Sequence, residues 1–179
     1  YILLQEDNKL IFIDKHAAHE RILYNELREN GKGQGVDSQM LLKPIVVSLD
    51  KESYSEVTEN TPLLEKAGYQ VEDFGNGTVI VRSAPVYLDI SDVESSVIEI
   101  AEYIRDNKMS IDTEYLDWIY HNVACRAAVK AGRKSSEREI KGLVESLEEN
   151  PNVMYCPHGR PVYIELCKKD IEKQFGRNG

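Results

Sequence analysis

Long apolar runs are missing from this chain of 179 residues. No stretch approaches the ~20 residues that a helix needs to cross a bilayer, which argues against a helical membrane protein. Cysteine is scarce and odd in number, three residues in all, which argues against a disulfide framework and fits a reducing compartment. Positive charge is in deficit: 22 Lys and Arg against 31 Asp and Glu leave a net charge of −9. Non-specific grip on nucleic acid comes from neutralised phosphates, so a chain this acidic binds duplex poorly by itself. A phosphate-cradling glycine loop is also absent. Gly31, Gly33 and Gly35 follow a helical pattern instead of a strand, so the sequence offers no place for ATP chemistry. There is no internal repeat and no low-complexity segment.

What is present reads as globular. At 41% hydrophobic the chain has enough apolar surface for one large domain or two small lobes, burying roughly 70% of its unfolded surface. Tyr1-Ile2-Leu3-Leu4 reads as a strand already under way, as in a piece of a longer chain. The stretch that organises the rest is Ile11-Phe12-Ile13-Asp14-Lys15-His16-Ala17-Ala18-His19-Glu20-Arg21-Ile22. A short apolar run ends in Asp14 and a helical pattern starts at once. His16 and Glu20 leave one face of that helix, and Asp14 can point into the same space. A carboxylate, an imidazole and a second carboxylate suit a divalent metal. An aspartate cap with a solvated helix face accounts for the same residues. Far downstream, Cys156-Pro157-His158-Gly159-Arg160-Pro161 carries a thiol and an imidazole on a stiff, shaped loop.

Together these stretches resemble the C-terminal domain of the MutL family of DNA mismatch-repair proteins. In its endonuclease-bearing members the first motif reads Asp-Gln-His-Ala-x-x-Glu-x-x-x-x-Glu. Asp14, His16, Ala17 and Glu20 match it, Lys15 replaces the Gln, and Asn25 stands at the last acid with Glu26 one residue late. Ala124-Cys125-Arg126 is similar to the family's Ala-Cys-Arg motif, and Cys156 to Pro161 matches its Cys-Pro-His-Gly-Arg-Pro motif in full. The resemblance implies metal-dependent nicking of one strand of duplex DNA, with Asp14, His16 and Glu20 as catalytic residues. It implies a ligand set of Asp14, His16, Glu20, Cys156 and His158, with Cys125 as a sixth candidate, holding zinc, manganese or both. Cys125 fits equally as a buried structural thiol. Arg160 is a candidate phosphate contact or a brace for its loop. Asn25 favours the rival reading, a non-catalytic dimerisation scaffold with a structural metal.

The expected architecture is α+β in two lobes, a dimerisation lobe from 1–33 and 122–179 and an inserted outer, regulatory lobe from 34–121. Strands are predicted at Tyr1–Gln5 and Leu10–Ile13, joined as a hairpin, then a helix from about Lys15 to Glu29, ended by the glycine-rich stretch. Lys51–Lys66 reads as one helix. Gly75-Asn76-Gly77 is a hairpin turn between Tyr69–Phe74 and Thr78–Arg82. Helices follow at Asp92–Arg105, Thr113–Ala131 and Ser136–Glu149, the last ended by Asn150-Pro151. A strand Val162–Leu166 and a helix Lys168–Phe175 close the chain. His19 and His121 read as packing or surface residues, and Cys167 carries no role.

Gln39-Met40-Leu41-Leu42-Lys43-Pro44 has Gln39, Leu42 and Pro44 at the spacing of the family's sliding-clamp motif, Gln-x-x-Leu/Ile-x-Pro, and equally reads as a strand entrance. Basic clusters at Lys130, Arg133, Lys134 and Arg138, and at Lys168, Lys169, Lys173 and Arg177, soften the acidic balance or simply face solvent. The resemblance further implies a homodimer through the terminal lobe, an N-terminal ATPase domain on the same parent chain, the replication sliding clamp as partner, and a bacterial, cytoplasmic protein associated with the nucleoid during repair.

Overall fold

The computed structural model describes residues 1–33, 35–108, 111–130, 135–150 and 153–177. Gln34 of the glycine-rich stretch, Pro151, and Arg133 and Lys134 of the first basic cluster lie outside them, as does the side chain of Lys130. In chain order the elements are β1 (Ile2–Glu6), β2 (Lys9–Ile13), α1 (Lys15–Gly31), β3 (Ser38–Ser48), α2 (Lys51–Glu59), α3 (Thr61–Lys66), β4 (Gln70–Gly75), β5 (Thr78–Pro85), α4 (Ile90–Asp106), α5 (Asp112–Lys130), α6 (Glu137–Glu149), β6 (Tyr163–Cys167) and α7 (Lys168–Gln174). This is an α+β fold with two antiparallel sheets, β1-β2-β6 and β3-β5-β4. The chain forms two compact units, Tyr1–Leu23 with Ala128–Gly179, and Tyr24–Ala127. Both divisions fall inside helices, α1 and α5, whereas the sequence placed one in the glycine-rich stretch.

In the first unit, register decides what each face of the sheet carries. Ile2, Ile13 and Tyr163 align across the strands, followed by Leu4, Ile11 and Glu165. That face packs on Ala17, Ala18, Val153, Cys156 and Val162, with Ile140, Leu143, Val144 and Leu147 of α6 leaning against it. Ser136 caps α6 through a reciprocal box with Glu139. The opposite face aligns Leu3, Phe12 and Ile164, then Gln5, Leu10 and Leu166. It bears no charge, and Leu3 and Ile164 are 60% and 53% exposed.

In the second unit, β5 is the central strand, with Val79 and Val81 fully buried. The β4–β5 turn has Asn76 at φ +53° and Gly77 at φ +74°, the left-handed pair that suits the twist of a hairpin. The single helix expected over Lys51–Lys66 is instead two, α2 and α3, meeting at Asn60 with Pro62 in the first turn of α3. Proline lacks the N–H that would continue the ladder, and its ring crowds the preceding turn. Val93, Val97, Ile100 and Ile104 line the buried face of α4, each worth roughly 1.5–3 kcal/mol when fully covered.

A chain of polar contacts crosses from α4 to α5. The Tyr69 hydroxyl donates to Ser96 Oγ (2.7 Å), which donates to Asn122 Oδ1 (2.8 Å). Asn122 Nδ2 donates to Glu99 (2.6 Å), and Arg126 joins Glu99 and Ser95, each at 2.7 Å. The sequence reading missed this chain. Its signal was Asn122 and Arg126 one helical turn apart on α5, facing Ser95, Ser96 and Glu99 on α4.

Candidate metal centre

The downstream motif folds as a tight hairpin. Cys156 N–H donates to Arg160 O at 2.8 Å and Gly159 N–H to Cys156 O at 2.9 Å. Pro157 suits the first corner because its ring fixes φ. Gly159 follows at φ +80°, a left-handed position that a side chain resists. Val162 N–H to Met154 O at 2.9 Å and a Tyr155–Pro161 bridge extend the pairing below the tip. His158 stands at the tip because of these constraints.

Facing it is Glu20 on α1, 2% exposed. His158 Nδ1 lies 2.9 Å from Glu20 Oε1, with the His158 side chain 43% exposed. Arg21, the next residue, donates from Nε to Tyr155 O at 2.6 Å and holds the hairpin against the helix. Burying a carboxylate is costly without a hydrogen bond or an opposite charge, and Oε1, close as it lies to the imidazole, makes no hydrogen bond among the described residues. A carboxylate oxygen facing a ring nitrogen is also a pair of atoms that coordinates a divalent metal.

Asp14, His16 and Cys156 are engaged elsewhere in the first unit. Asp14 caps α1, its Oδ1 accepting Ala17 N–H at 3.1 Å and its backbone oxygen accepting Ala18 N–H at 2.9 Å. His16 Nδ1 lies 3.3 Å from Ala128 O. A carbonyl only accepts, so this contact sets Nδ1 as the donor and leaves the lone pair on Nε2. Cys156 sits in the apolar cluster at 2% exposure. Among the described residues, Asp14, His16 and Cys156 do not join Glu20 and His158 in a set of ligand atoms within 4.8 Å of one another. The cap geometry at Asp14 and the inward turn of Cys156 between Val153 and Val162 account for two of these placements. Cys125 lies half-buried on α5 in the second unit, and its part in the ligand set rests on the sequence resemblance. Arg160 is exposed, its backbone carbonyl engaged in the hairpin. His19 Nδ1 is buried without a hydrogen-bond partner among the described residues. Burial first, then His16 and Lys15, hold its imidazole below the usual pKa and favour the neutral ring.

The second candidate surface is on β3. Pairing with β5 is interrupted between Met40 and Ile45, a bulge at the edge of the sheet. An edge strand tolerates Pro44 because the missing N–H faces no partner. Leu41 turns inward, 7% exposed, while Met40 and Leu42 are 71% and 104% exposed. The Gln39 side chain bonds within its own unit, to Leu88 O and Pro85 O.

An α+β chain with a strand–helix junction, a buried acid and a histidine at a hairpin tip invites comparison with known domains. The family model described as "MutL C terminal dimerisation domain" matches residues 1–135. The chain is 38% identical over 178 residues to the DNA mismatch repair protein MutL of Nitrobacter hamburgensis, aligning 99% of this chain with 30% of that one. The MutL of Afipia carboxidovorans is 38% identical over 178 residues, with 99% and 29% covered. The Caldanaerobacter subterraneus MutL is 39% identical over 177 residues, with 99% and 30% covered. The chain belongs to the MutL C-terminal dimerisation domain family. It spans about three-tenths of the length of the curated relatives it matches.

Proposed function

We propose that this chain is the part of a MutL mismatch-repair protein that pairs two copies and nicks one strand of duplex DNA with a divalent metal. The observation that supports this reading is the meeting of Glu20 and His158 at 2.9 Å across 138 positions of sequence. Glu20 and His158 would hold zinc or manganese, with Asp14, His16, Cys125 and Cys156 as the further donors that the motifs imply. A bound ion of this kind supplies a Lewis acid and a water of lowered pKa. The chain's own residues do the positioning. Glu20 offers a buried negative charge, Ala128 O orients the His16 ring, and Arg21 steadies the hairpin that carries His158. Arg160, exposed on that hairpin, offers a cation to a backbone phosphate.

At −9 the chain gains from a partner that already encircles DNA. The replication sliding clamp, docked on Leu42 and its neighbours, is that partner in this reading, and an N-terminal ATPase domain on the same parent chain supplies the nucleotide chemistry. The uncharged face of Leu3, Phe12, Ile164, Leu10 and Leu166 is the proposed homodimer surface, since an exposed apolar sheet face needs covering. Leu3→Asp is then expected to turn the dimer into a monomer at micromolar concentration by sedimentation, and an unchanged dimer would remove this face from the reading.

Asn25 at the last motif acid favours a second reading, a dimerisation scaffold with a structural metal. A nicking assay on supercoiled DNA with manganese separates the two. Catalysis predicts nicks by the wild-type chain and their loss in Glu20→Gln, with folding checked by circular dichroism. Metal bound stoichiometrically without nicking by either chain supports the scaffold.

A further inference from the structure

The leucine and the glutamine of the β3 motif are in different states. Leu42 stands in solvent at 104% exposure. Gln39 is turned into the fold, its Nε2 donating to Leu88 O at 2.8 Å and to Pro85 O at 3.4 Å. Pro85 ends β5 and Leu88 lies in the connection to α4, where Leu88 N–H also folds back on Pro85 O at 3.0 Å. Leu88 is itself 2% exposed, and the next residue, Asp89, caps α4 by accepting from Ser91 N–H. A glutamine amide has two N–H donors, and both are used here. An extended peptide that docks through its glutamine and its leucine together needs both outside.

We propose that Gln39 is a latch. Its amide ties the root of the β3 bulge to the β5–α4 connection, and clamp docking begins on exposed Leu42 and completes only when the amide leaves Pro85 and Leu88. The inference rests on reading Gln39–Pro44 as the clamp-binding segment. It adds that the segment is held partly closed, so docking and the entry to α4 are coupled. The clamp shifts a population between latched and released arrangements because only the released one offers it the glutamine. Release also leaves the Leu88 carbonyl without the donor it has in the latched state, which loosens the turn leading into α4.

Amide hydrogen exchange over Val86–Ser91 reads the latch, in the whole chain alone and with purified sliding clamp. Gln39→Glu keeps the side-chain length but sets an acceptor against two carbonyls. In the free protein it is expected to speed exchange over Val86–Ser91 roughly tenfold, the scale of one lost hydrogen bond, and to leave β4 and α5 unchanged. Clamp added to the wild-type chain is expected to slow exchange at Met40–Lys43 and speed it at Val86–Ser91. Leu42→Ala is expected to abolish both clamp effects while leaving the free protein's exchange at Val86–Ser91 as it was. Unaltered exchange in free Gln39→Glu overturns the latch, whatever the clamp does. Protection at Met40–Lys43 without faster exchange at Val86–Ser91 overturns the coupling and leaves the docking reading standing. Protection at neither segment overturns docking and latch together.

Discussion

Replacing Gly159 with alanine tests the hairpin that presents His158. At φ +80° the backbone is left-handed, where a Cβ costs about 1–2 kcal/mol. Among the described residues, chain neighbours aside, no heavy atom lies within 4 Å of where that Cβ would stand, so no clash adds to the conformational cost. For a chain of this size a loss of about 1–2 kcal/mol lowers the melting temperature by roughly 2–8 °C. Urea unfolding should report the same loss as a lower midpoint with an unchanged slope. Gly159→Asn is expected to lose less, because asparagine enters the left-handed region more readily than alanine. Zinc affinity, read by competition with a chromogenic chelator, should fall in the same order, since the imbalance falls on the loop that carries His158. Alanine equal to glycine in both assays would refute the left-handed hairpin as the device that presents the imidazole. A loss above about 4 kcal/mol would refute it too, because open space around the Cβ leaves no source for so large a penalty.

Two further perturbations probe the scaffold. Leu27→Ala, at a fully buried position on α1, should cost about 2–5 kcal/mol in urea unfolding, and a loss below about 1 kcal/mol would show that neighbours refill the space. Asp50 accepts from the Ser53 hydroxyl and from the Ser53 and Glu52 N–H groups, which, with Arg105 nearby, holds its carboxyl at about 2. Its folded pKa is depressed, so its contribution is present above the ordinary carboxylate value of 3.8 and is lost as pH falls through about 2. The stability gap between wild type and Asp50→Asn should therefore close between about pH 4 and pH 2, and a gap constant across that range would contradict the assignment.

Local rules carried much of the fold. Asn76-Gly77 names a left-handed turn because few other residues accept it, and the structure has that turn. The helix expected from Ser136 starts at Glu137, with Ser136 as its cap. The lapse at α2 and α3 had a visible cause in Pro62, overridden by the apolar spacing on either side of it. The site was legible as a meeting of motifs and less so as a ligand list. Sequence spacing puts His16 and Glu20 on one face but is silent about which polar atoms the fold engages elsewhere, as with Asp14 at the cap and His16 on Ala128 O. Cys156 shows the same limit, since a thiol in a metal-like motif and a thiol filling an apolar cluster look alike in one dimension. Gln39 followed its motif in type and departed from it in direction, which only the positions of Pro85 and Leu88 decide.

The polar chain from Tyr69 to Arg126 has a consequence for how α4 and α5 find each other. Apolar ridges on a helix recur every three or four residues, so two helices can slide past one another by a turn and meet similar grooves again. Tyr69, Ser96 and Asn122 are 1%, 0% and 7% exposed, and their bonds are satisfied in one alignment only. A slip of one turn, about 5.4 Å, would strand these buried groups at about 1–3 kcal/mol apiece. Grease lets the helices associate in several alignments, and the hydroxyl–hydroxyl–amide relay accepts just one, as the wards of a lock accept one key.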